Sequence, residues 1–135
     1  MKGKVFLDTN ILVYLHSSKE VRKRMISTDI LENCDCCTSV QALNEFCNVN
    51  LRKLNRSREE IEQAIDEIKD ICTVFTVSIE TLRYALALHA RYGYAYYDCV
   101  MLASALENGC SRIVSEDMAS GQIIDSRLII FNPFE

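Results

Sequence analysis

Short apolar runs alternate along the chain with longer segments in which apolar residues recur every three or four positions. The short runs predict buried strands, and the three-to-four spacing predicts amphipathic helices. The predicted strands cover residues 4–7, 36–38, 73–77, 112–115 and 127–131. The predicted helices cover residues 10–16, 19–32, 39–54, a segment that follows Ser57, 79–92 and 96–107. Because strands alternate with helices, we predict an α/β fold, a three-layer α/β/α sandwich with a central parallel sheet.

Local signals mark the ends of two of these helices. Ser57 is followed three residues later by Glu60, a capping box that opens a helix. Asn108-Gly109 indicates a helix end at a left-handed residue. The helix of residues 39–54 has an apolar stripe, and we predict that this stripe packs on the core. The stripe consists of Val40, Leu43, Cys47, Leu51 and Leu54.

Length and composition limit the class of protein. The chain has 135 residues, 49% hydrophobic and 25% charged, which allows one well-buried core, so we predict a single domain over residues 1–135. Charges interrupt every apolar run before the ~18 residues that a membrane span needs, so we expect no membrane association. The run after Lys2 and Lys4 resembles a signal peptide, but Asp8 and Asn10 interrupt it, and we predict a cytoplasmic protein.

The net charge of -4 argues against binding nucleic acid over the whole surface. The net charge does not exclude a local basic face, because basic residues cluster twice along the chain. The clusters are Arg22-Lys23-Arg24 and the group Arg52, Lys53, Arg56 and Arg58. The alternative is that both clusters are solvated helix faces.

Two acidic residues directly follow predicted strands. Asp8 lies in VFLDTNILVYL, where a buried strand gives way to a helix. It could cap that helix, but Thr9 or Asn10 would cap equally well, so a cap and a functional site both remain open. Asp117 follows the strand RIVS beside Glu116, where the alternative is an ordinary turn residue. If the strands pair in parallel, Asp8 and Asp117 project from the same edge of the sheet.

Two further acids lie on predicted helices among apolar neighbours. Glu45 lies away from the apolar stripe, and its neighbours one turn away, Ala42 and Val49, are uncharged; the alternative is an exposed surface acid. Asp98 lies in the first turn of its helix and shares a face with three apolar residues. These are Met101, Leu102 and Ala105. The helix dipole explains the position of Asp98 but not its inward face, which requires a partner, a cation or a raised pKa.

Together the four acids point to a cation site. Three or four carboxylates in one pocket cannot all stay ionised unless cations neutralise them. Ligation by oxygen alone favours Mg²⁺ or Mn²⁺ over zinc. The only histidines, His16 and His89, lack ligand spacing to a cysteine, so a histidine-based acid–base mechanism is poorly supported.

Several blocks of sequence match a known family. FLDTNILVY, NEF in the third helix, YYDCVMLASALENGC and IVSED, followed by a terminal NPF, closely resemble the PIN-domain ribonucleases, in particular the VapC-type toxins of bacterial toxin–antitoxin modules. The blocks occur in the usual order and spacing over essentially the whole chain. The resemblance implies an acidic quartet with polar helpers. The quartet is Asp8, Glu45, Asp98 and Asp117, and the helpers are Thr9, Asn10 and Ser115.

The resemblance also implies an activity. In the family these acids bind Mg²⁺ or Mn²⁺ and cut single-stranded RNA, leaving a 5′-phosphate and a 3′-hydroxyl. We therefore expect a Mg²⁺ (or Mn²⁺) cofactor, an RNA substrate, a small antitoxin protein as partner and a homodimer. Asn10 and Ser115 would orient water or phosphate by hydrogen bonds. As the fourth acid we favour Asp117 over Asp125, which lies in GQIID.

Two other functions compete with this interpretation. A metal-dependent phosphatase of the haloacid dehalogenase type also begins with a strand that ends in Asp. Its D-x-D pattern needs a second acid where this chain has Asn10, so the general acid would be absent. A non-catalytic module that binds RNA or protein would need no inward acids at all.

Overall fold

Helices and strands alternate in the computed structural model, which describes residues 3–135; the first two residues of the predicted domain, Met1 and Lys2, lie outside the described residues. The strands are β1 Lys4–Leu7, β2 Asp35–Ser39, β3 Thr73–Phe75, β4 Cys110–Val114, β5 Ile123–Ile124 and β6 Leu128–Phe131. The helices are α1 Thr9–Leu15, α2 Val21–Asn33, α3 Val40–Arg52, α4 Arg58–Ile71, α5 Ile79–Tyr92 and α6 Tyr96–Glu107.

All the strands belong to one sheet, in the order β3-β2-β1-β4-β6-β5. Strand β1 lies at its centre and pairs in parallel with β2 and β4, and the pairs β2–β3 and β4–β6 are also parallel. Helices flank this sheet, so the predicted three-layer α/β/α fold is confirmed. The parallel arrangement brings the carboxyl ends of β2, β1 and β4 to one edge, where ligands bind in open α/β sheets.

One strand differs from the prediction. Strand β5 runs antiparallel to β6 at the end of the sheet. It has only two residues, which is too short for any hydrophobic periodicity to be recognised. The turn between β5 and β6 passes through Asp125 and Ser126, whose φ angles are 48° and 60°. Aspartate is among the few residues other than glycine that adopt this left-handed conformation with little strain.

The predicted core-facing stripe of α3 is wrong for three of its five residues, whereas Leu43 packs against the core as predicted. Val40, Leu51 and Leu54 are 42%, 57% and 43% exposed. The buried face consists instead of Ala42, Phe46 and Asn50. The Asn50 side-chain amide donates a hydrogen bond of 2.7 Å to the carbonyl oxygen of Phe46, so this polar residue is satisfied within its own helix and can lie in the interior. Leu54 also lies beyond the last residue of α3.

Both predicted helix ends are confirmed. The Ser57 hydroxyl accepts a hydrogen bond from the amide of Glu60, and the Glu60 carboxylate accepts one from the amide of Ser57, which together form the capping box of α4. At the end of α6, Gly109 adopts a φ of 71°, the left-handed conformation that terminates helices.

Helix α6 is buried almost all round. Every residue from Cys99 to Leu106 is buried, whereas Asp98, one residue earlier, is half-buried. Asp98 therefore lies where an apolar helix emerges from the core. Among residues 3–135, no helix has both the length and the apolar character needed to cross a membrane.

Candidate active site

The carboxyl ends of β1 and β4 place Asp8, Ser115 and Asp117 next to one another. Leu7 and Val114, the last residues of these strands, are paired in register. The amide of Asp8 continues the pairing with a 3.1 Å hydrogen bond to the carbonyl oxygen of Val114. Asp8 and Asp117 therefore leave the sheet from the same edge.

Both carboxylate oxygens of Asp8 accept hydrogen bonds. Oδ1 accepts from the amide of Thr9 at 2.7 Å, so Asp8 is indeed the N-cap of α1. Oδ2 accepts from the hydroxyl of Ser115 at 2.7 Å. Asp8 is only 3% exposed, and burial raises its pKa although both hydrogen bonds oppose the shift. Repulsion from Asp117 and Glu116 raises the pKa further. A capping role alone does not require a carboxylate to be buried beside other acids.

Ser115 and Asn10 hold Asp117 beside Asp8. The Ser115 oxygen donates to Asp8 and accepts from the amide of Asp117 at 3.2 Å, so one buried hydroxyl joins the two acids. The Asn10 side-chain amide donates to Asp117 Oδ2 at 2.6 Å. Burial and repulsion from Glu116 raise the pKa of Asp117 despite the bond from Asn10. Unlike Asp8, Asp117 is exposed, so it borders solvent.

Glu45 enters from α3, the helix that follows β2. Its side chain is half-buried, and Oε2 accepts a 3.2 Å hydrogen bond from Gln41 one turn earlier. Burial raises the pKa of Glu45, and repulsion from Asp8 and Asp117 raises it further. The repulsion means that Glu45 lies within electrostatic range of both acids at the strand ends.

Asp98 completes the group from the first turn of α6. Burial raises its pKa to about 6, and the carboxylates of Asp8, Asp117 and Glu45 add to this shift, in that order. No described side chain donates a hydrogen bond to Asp98. We call these four acids the acidic edge. It is formed by residues from four separate segments that meet beyond the carboxyl ends of the strands.

Three residues beside the acidic edge were not predicted as part of it. Glu116 accepts hydrogen bonds from the Tyr14 hydroxyl and, at 2.9 Å, from the Lys23 ammonium group. The Lys23 ammonium group also lies 4.9 Å from the centre of the Tyr14 ring. The spacing of Asn10 and Tyr14, four residues apart on one helix, is the sequence signal that could have related Tyr14 to the site.

The donor set fits a hard divalent cation. The acidic edge offers carboxylate oxygens alone, which Mg²⁺ and Mn²⁺ prefer. The hydroxyl of Thr9, next to Asp8, is buried and has no hydrogen-bond partner within residues 3–135. Such an unsatisfied oxygen calls for an unseen water or ion. Within the same residues, no three acidic, histidine or cysteine side chains lie close enough together to form a ready-made ligand group.

Asp125 lies apart from the acidic edge, in a different group of contacts. Its carboxylate accepts hydrogen bonds from Tyr84 at 2.6 Å, Tyr92 at 3.0 Å and Arg91. These bonds outweigh the opposing effect of burial and lower the pKa of Asp125. They join the β5–β6 turn to α5, which is a structural role.

Comparisons with known proteins identify the fold. Residues 5–119 match the PIN domain family, whereas no curated protein matches the chain. A toxin–antitoxin complex from Klebsiella pneumoniae is 18% identical, with a TM-score of 0.72 over 97% of this chain and 98% of that chain. VapBC2 from Rickettsia felis, bound to a DNA fragment from its promoter, is 16% identical, with a TM-score of 0.68 over 96% of this chain and 99% of that chain.

A third solved structure is VapC20 from Mycobacterium tuberculosis, a toxin that cleaves the sarcin–ricin loop. It is 17% identical, with a TM-score of 0.66 over 81% of this chain and 86% of that chain. At such low identities the three structures establish the fold alone. The family match spans most of the sequence and includes Asp8, Glu45, Asp98 and Asp117, and by this match the chain belongs to the PIN domain family.

Proposed function

We propose that this protein is a Mg²⁺- or Mn²⁺-dependent endoribonuclease of the VapC type, the toxin of a toxin–antitoxin pair. The observation that carries the proposal is the acidic edge itself. Asp8, Glu45 and Asp98 have pKa values raised first by burial, and repulsion from other acids of the group adds to each shift. Such a cluster is unfavourable without a cation and suits a metal that binds phosphodiesters.

The residues present divide into ligands and positioning groups. Asp8, Glu45, Asp98 and Asp117 would hold the metal, directly or through water. When bound, Mg²⁺ or Mn²⁺ lowers the pKa of a coordinated water and neutralises charge on the phosphodiester. Ser115, which bonds to Asp8, and Asn10, which bonds to Asp117, keep these carboxylates oriented. Thr9 supplies a free buried hydroxyl for water or phosphate.

The proposed partners are a small antitoxin and a second copy of the chain. Support for an antitoxin comes from the related folds of toxin–antitoxin complexes from Klebsiella pneumoniae and Rickettsia felis. Support for a homodimer comes from an apolar stripe on α5, where Ile79, Leu82 and Leu86 are 67%, 38% and 58% exposed. All seven cysteines are free, which suits the reducing cytoplasm that we propose as the location.

An RNA-cleavage assay tests the activity. The purified protein is incubated with single-stranded RNA in Mg²⁺, and the reaction is repeated with EDTA and with Asp98→Asn. We expect the wild-type protein to cleave the RNA in Mg²⁺ and not in EDTA. The Asp98→Asn variant should remain folded but cleave at least about 100-fold more slowly, because a positioned charge in a metal site contributes several kcal/mol to the stability of the transition state. Asp66→Asn, at an exposed position on α4, is the matched control and should cleave normally.

The same assay separates the competing functions. A non-catalytic module would bind RNA or protein equally well with and without Mg²⁺ and would cleave nothing. Undiminished cleavage by Asp98→Asn would remove Asp98 from the site. Cleavage that persists in EDTA would contradict the metal-dependent mechanism as a whole.

A further inference from the structure

A groove of about 430 Å³ lies between the end of α1 and the turn that joins α3 to α4. Tyr14 and Lys53 are among the residues that line it. An adjoining pocket of about 330 Å³ shares Lys53 and adds Arg52. The larger cavity falls within the range of clefts that hold small ligands or single groups of a polymer. We call the two together the basic groove.

The basic groove is positively charged although the chain is acidic. Lys19, Arg52, Lys53 and Arg56 line it, against the single acid Glu20, so its charge is opposite to the net -4 of the chain. The other described cavities contain acids that match or outnumber their basic residues. A positive groove on a negative protein calls for an anionic ligand.

Most of these cations are free to bind. Lys19, Arg52 and Lys53 are exposed, and none of their side chains has a hydrogen-bond or ion-pair partner within residues 3–135. Arg56 is half-buried and donates to the carbonyl oxygen of His16 at 2.5 Å, so it also fixes the end of α1. By contrast, Arg58, which lies outside the groove, is paired with an acid four residues later.

Helix α1 connects the basic groove with the acidic edge. Asn10 and Tyr14 are one turn apart, about 6 Å along the helix axis. Asn10 bonds to Asp117, and Tyr14 bonds to the adjacent Glu116. Tyr14 is also part of the wall of the basic groove. The groove therefore begins about one helical turn from the acids.

We propose that the basic groove binds the sugar–phosphate backbone of single-stranded RNA next to the cleavage position, with Lys19 and Lys53 contacting phosphates. The proposal rests on the ribonuclease function proposed above and defines how the substrate is held. RNA suits this arrangement better than an acidic peptide does. The groove attracts a phosphodiester chain, and the same chain can extend from the groove to the carboxylates that would hold the metal. An acidic peptide has no phosphodiester to place at these carboxylates. Tyr14 adds an aromatic ring near the path of the strand.

The test compares two double charge reversals. Lys19→Glu/Lys53→Glu alters the groove, and Lys69→Glu/Arg83→Glu makes the same charge change at exposed positions on α4 and α5. Binding of a fluorescent 15-nucleotide RNA is measured by anisotropy in EDTA, where no cleavage occurs, at several salt concentrations. We expect the groove variant to bind roughly tenfold more weakly than the control variant. Its salt slope should fall by about 1.4, because each contact to single-stranded phosphate contributes about 0.7.

Cleavage in Mg²⁺ supplies the second measurement. For the groove variant we expect a higher KM on the 15-nucleotide RNA, and a smaller rise in KM on a dinucleotide, which is too short to follow the basic groove. If the wild-type protein cleaves no RNA, the ribonuclease proposal fails, but binding in EDTA still tests the groove.

Two results would overturn the basic groove as an RNA site. One is equal RNA affinity of the groove and control variants. The other is that the groove variant loses binding to a fifteen-residue glutamate peptide while its RNA binding is unaffected. This result would assign the groove to an acidic protein partner. Circular dichroism of both variants checks that they are folded.

Discussion

Replacing Asp98 by asparagine should stabilise the metal-free protein above pH 6. Burial, aided by the neighbouring acids, raises the pKa of Asp98 from 3.8 to about 6. The folded protein therefore favours the protonated carboxyl, whereas the unfolded chain ionises at the ordinary pKa. Stability contributed by the protonated form is present below pH 4 and is lost as the pH rises to 6. Asparagine resembles the protonated carboxyl and avoids this loss.

The size of the effect follows from the same pKa. For a fully buried group, a rise from 3.8 to about 6 corresponds to about 3 kcal/mol. Asp98 is only half-buried, and screening by solvent reduces this to roughly 1.5 kcal/mol. For a chain of this length, Asp98→Asn should then raise the melting temperature by about 6 °C at pH 7.5. The substitution breaks no hydrogen bond of the Asp98 carboxylate within residues 3–135, so the opposing loss is limited to the interaction of its charge with the helix dipole in the first turn of α6.

Thermal unfolding in EDTA at pH 4 and pH 7.5 measures this effect, with Asp66→Asn as the matched control. We expect a stabilisation by Asp98→Asn at pH 7.5 that nearly disappears at pH 4. Mg²⁺ should then stabilise the wild-type protein more than the variant, since only the wild type has all four carboxylates. If Asp98→Asn is no more stable than the wild type at pH 7.5, or if the gain is equal at both pH values, the argument from burial and repulsion at Asp98 is wrong.

Three further substitutions test other contacts. Ser115→Ala should lower stability by about 1–2 kcal/mol in urea titrations, because it leaves a buried oxygen of Asp8 without its donor. Asp125→Asn should weaken the contacts to α5 by about 1–2 kcal/mol at pH 7 and leave RNA cleavage unchanged. Because the pKa of Asp125 is lowered, this difference should shrink as the wild-type carboxylate protonates below pH 4. Ser57→Ala removes the capping box and should cost about 1 kcal/mol in thermal unfolding.

The sequence was informative where one local rule determines the outcome. Parallel strands bring their carboxyl ends together, so the acids after β1 and β4 could be located from the strand pattern alone. The capping box of Ser57 and the helix end at Gly109 depend on neighbouring residues and were also predictable. A two-residue strand such as β5 depends on its pairing with β6, and this pairing leaves no periodic signal.

Side-chain environment was less predictable than secondary structure. On α3, leucine was taken to indicate the core, but Asn50 is buried there and Leu51 is exposed. The error arose because Asn50 satisfies its amide within the helix, which hydrophobicity does not reveal. The contact of Tyr14 with Glu116 joins residues 102 positions apart, and it emerges only when β1 and β4 are paired.

The net charge of the chain also did not indicate where on the surface nucleic acid could bind. It argued against binding of nucleic acid over the whole surface, yet Coulomb interactions are screened over about 8–10 Å at physiological salt. An RNA strand in the basic groove would therefore respond mainly to Lys19, Lys53 and their neighbours rather than to acids elsewhere on the surface. The acidic edge, about one helical turn away, would repel the same strand until a cation is bound. Metal and RNA should consequently bind with positive coupling, since each offsets the charge that opposes the other.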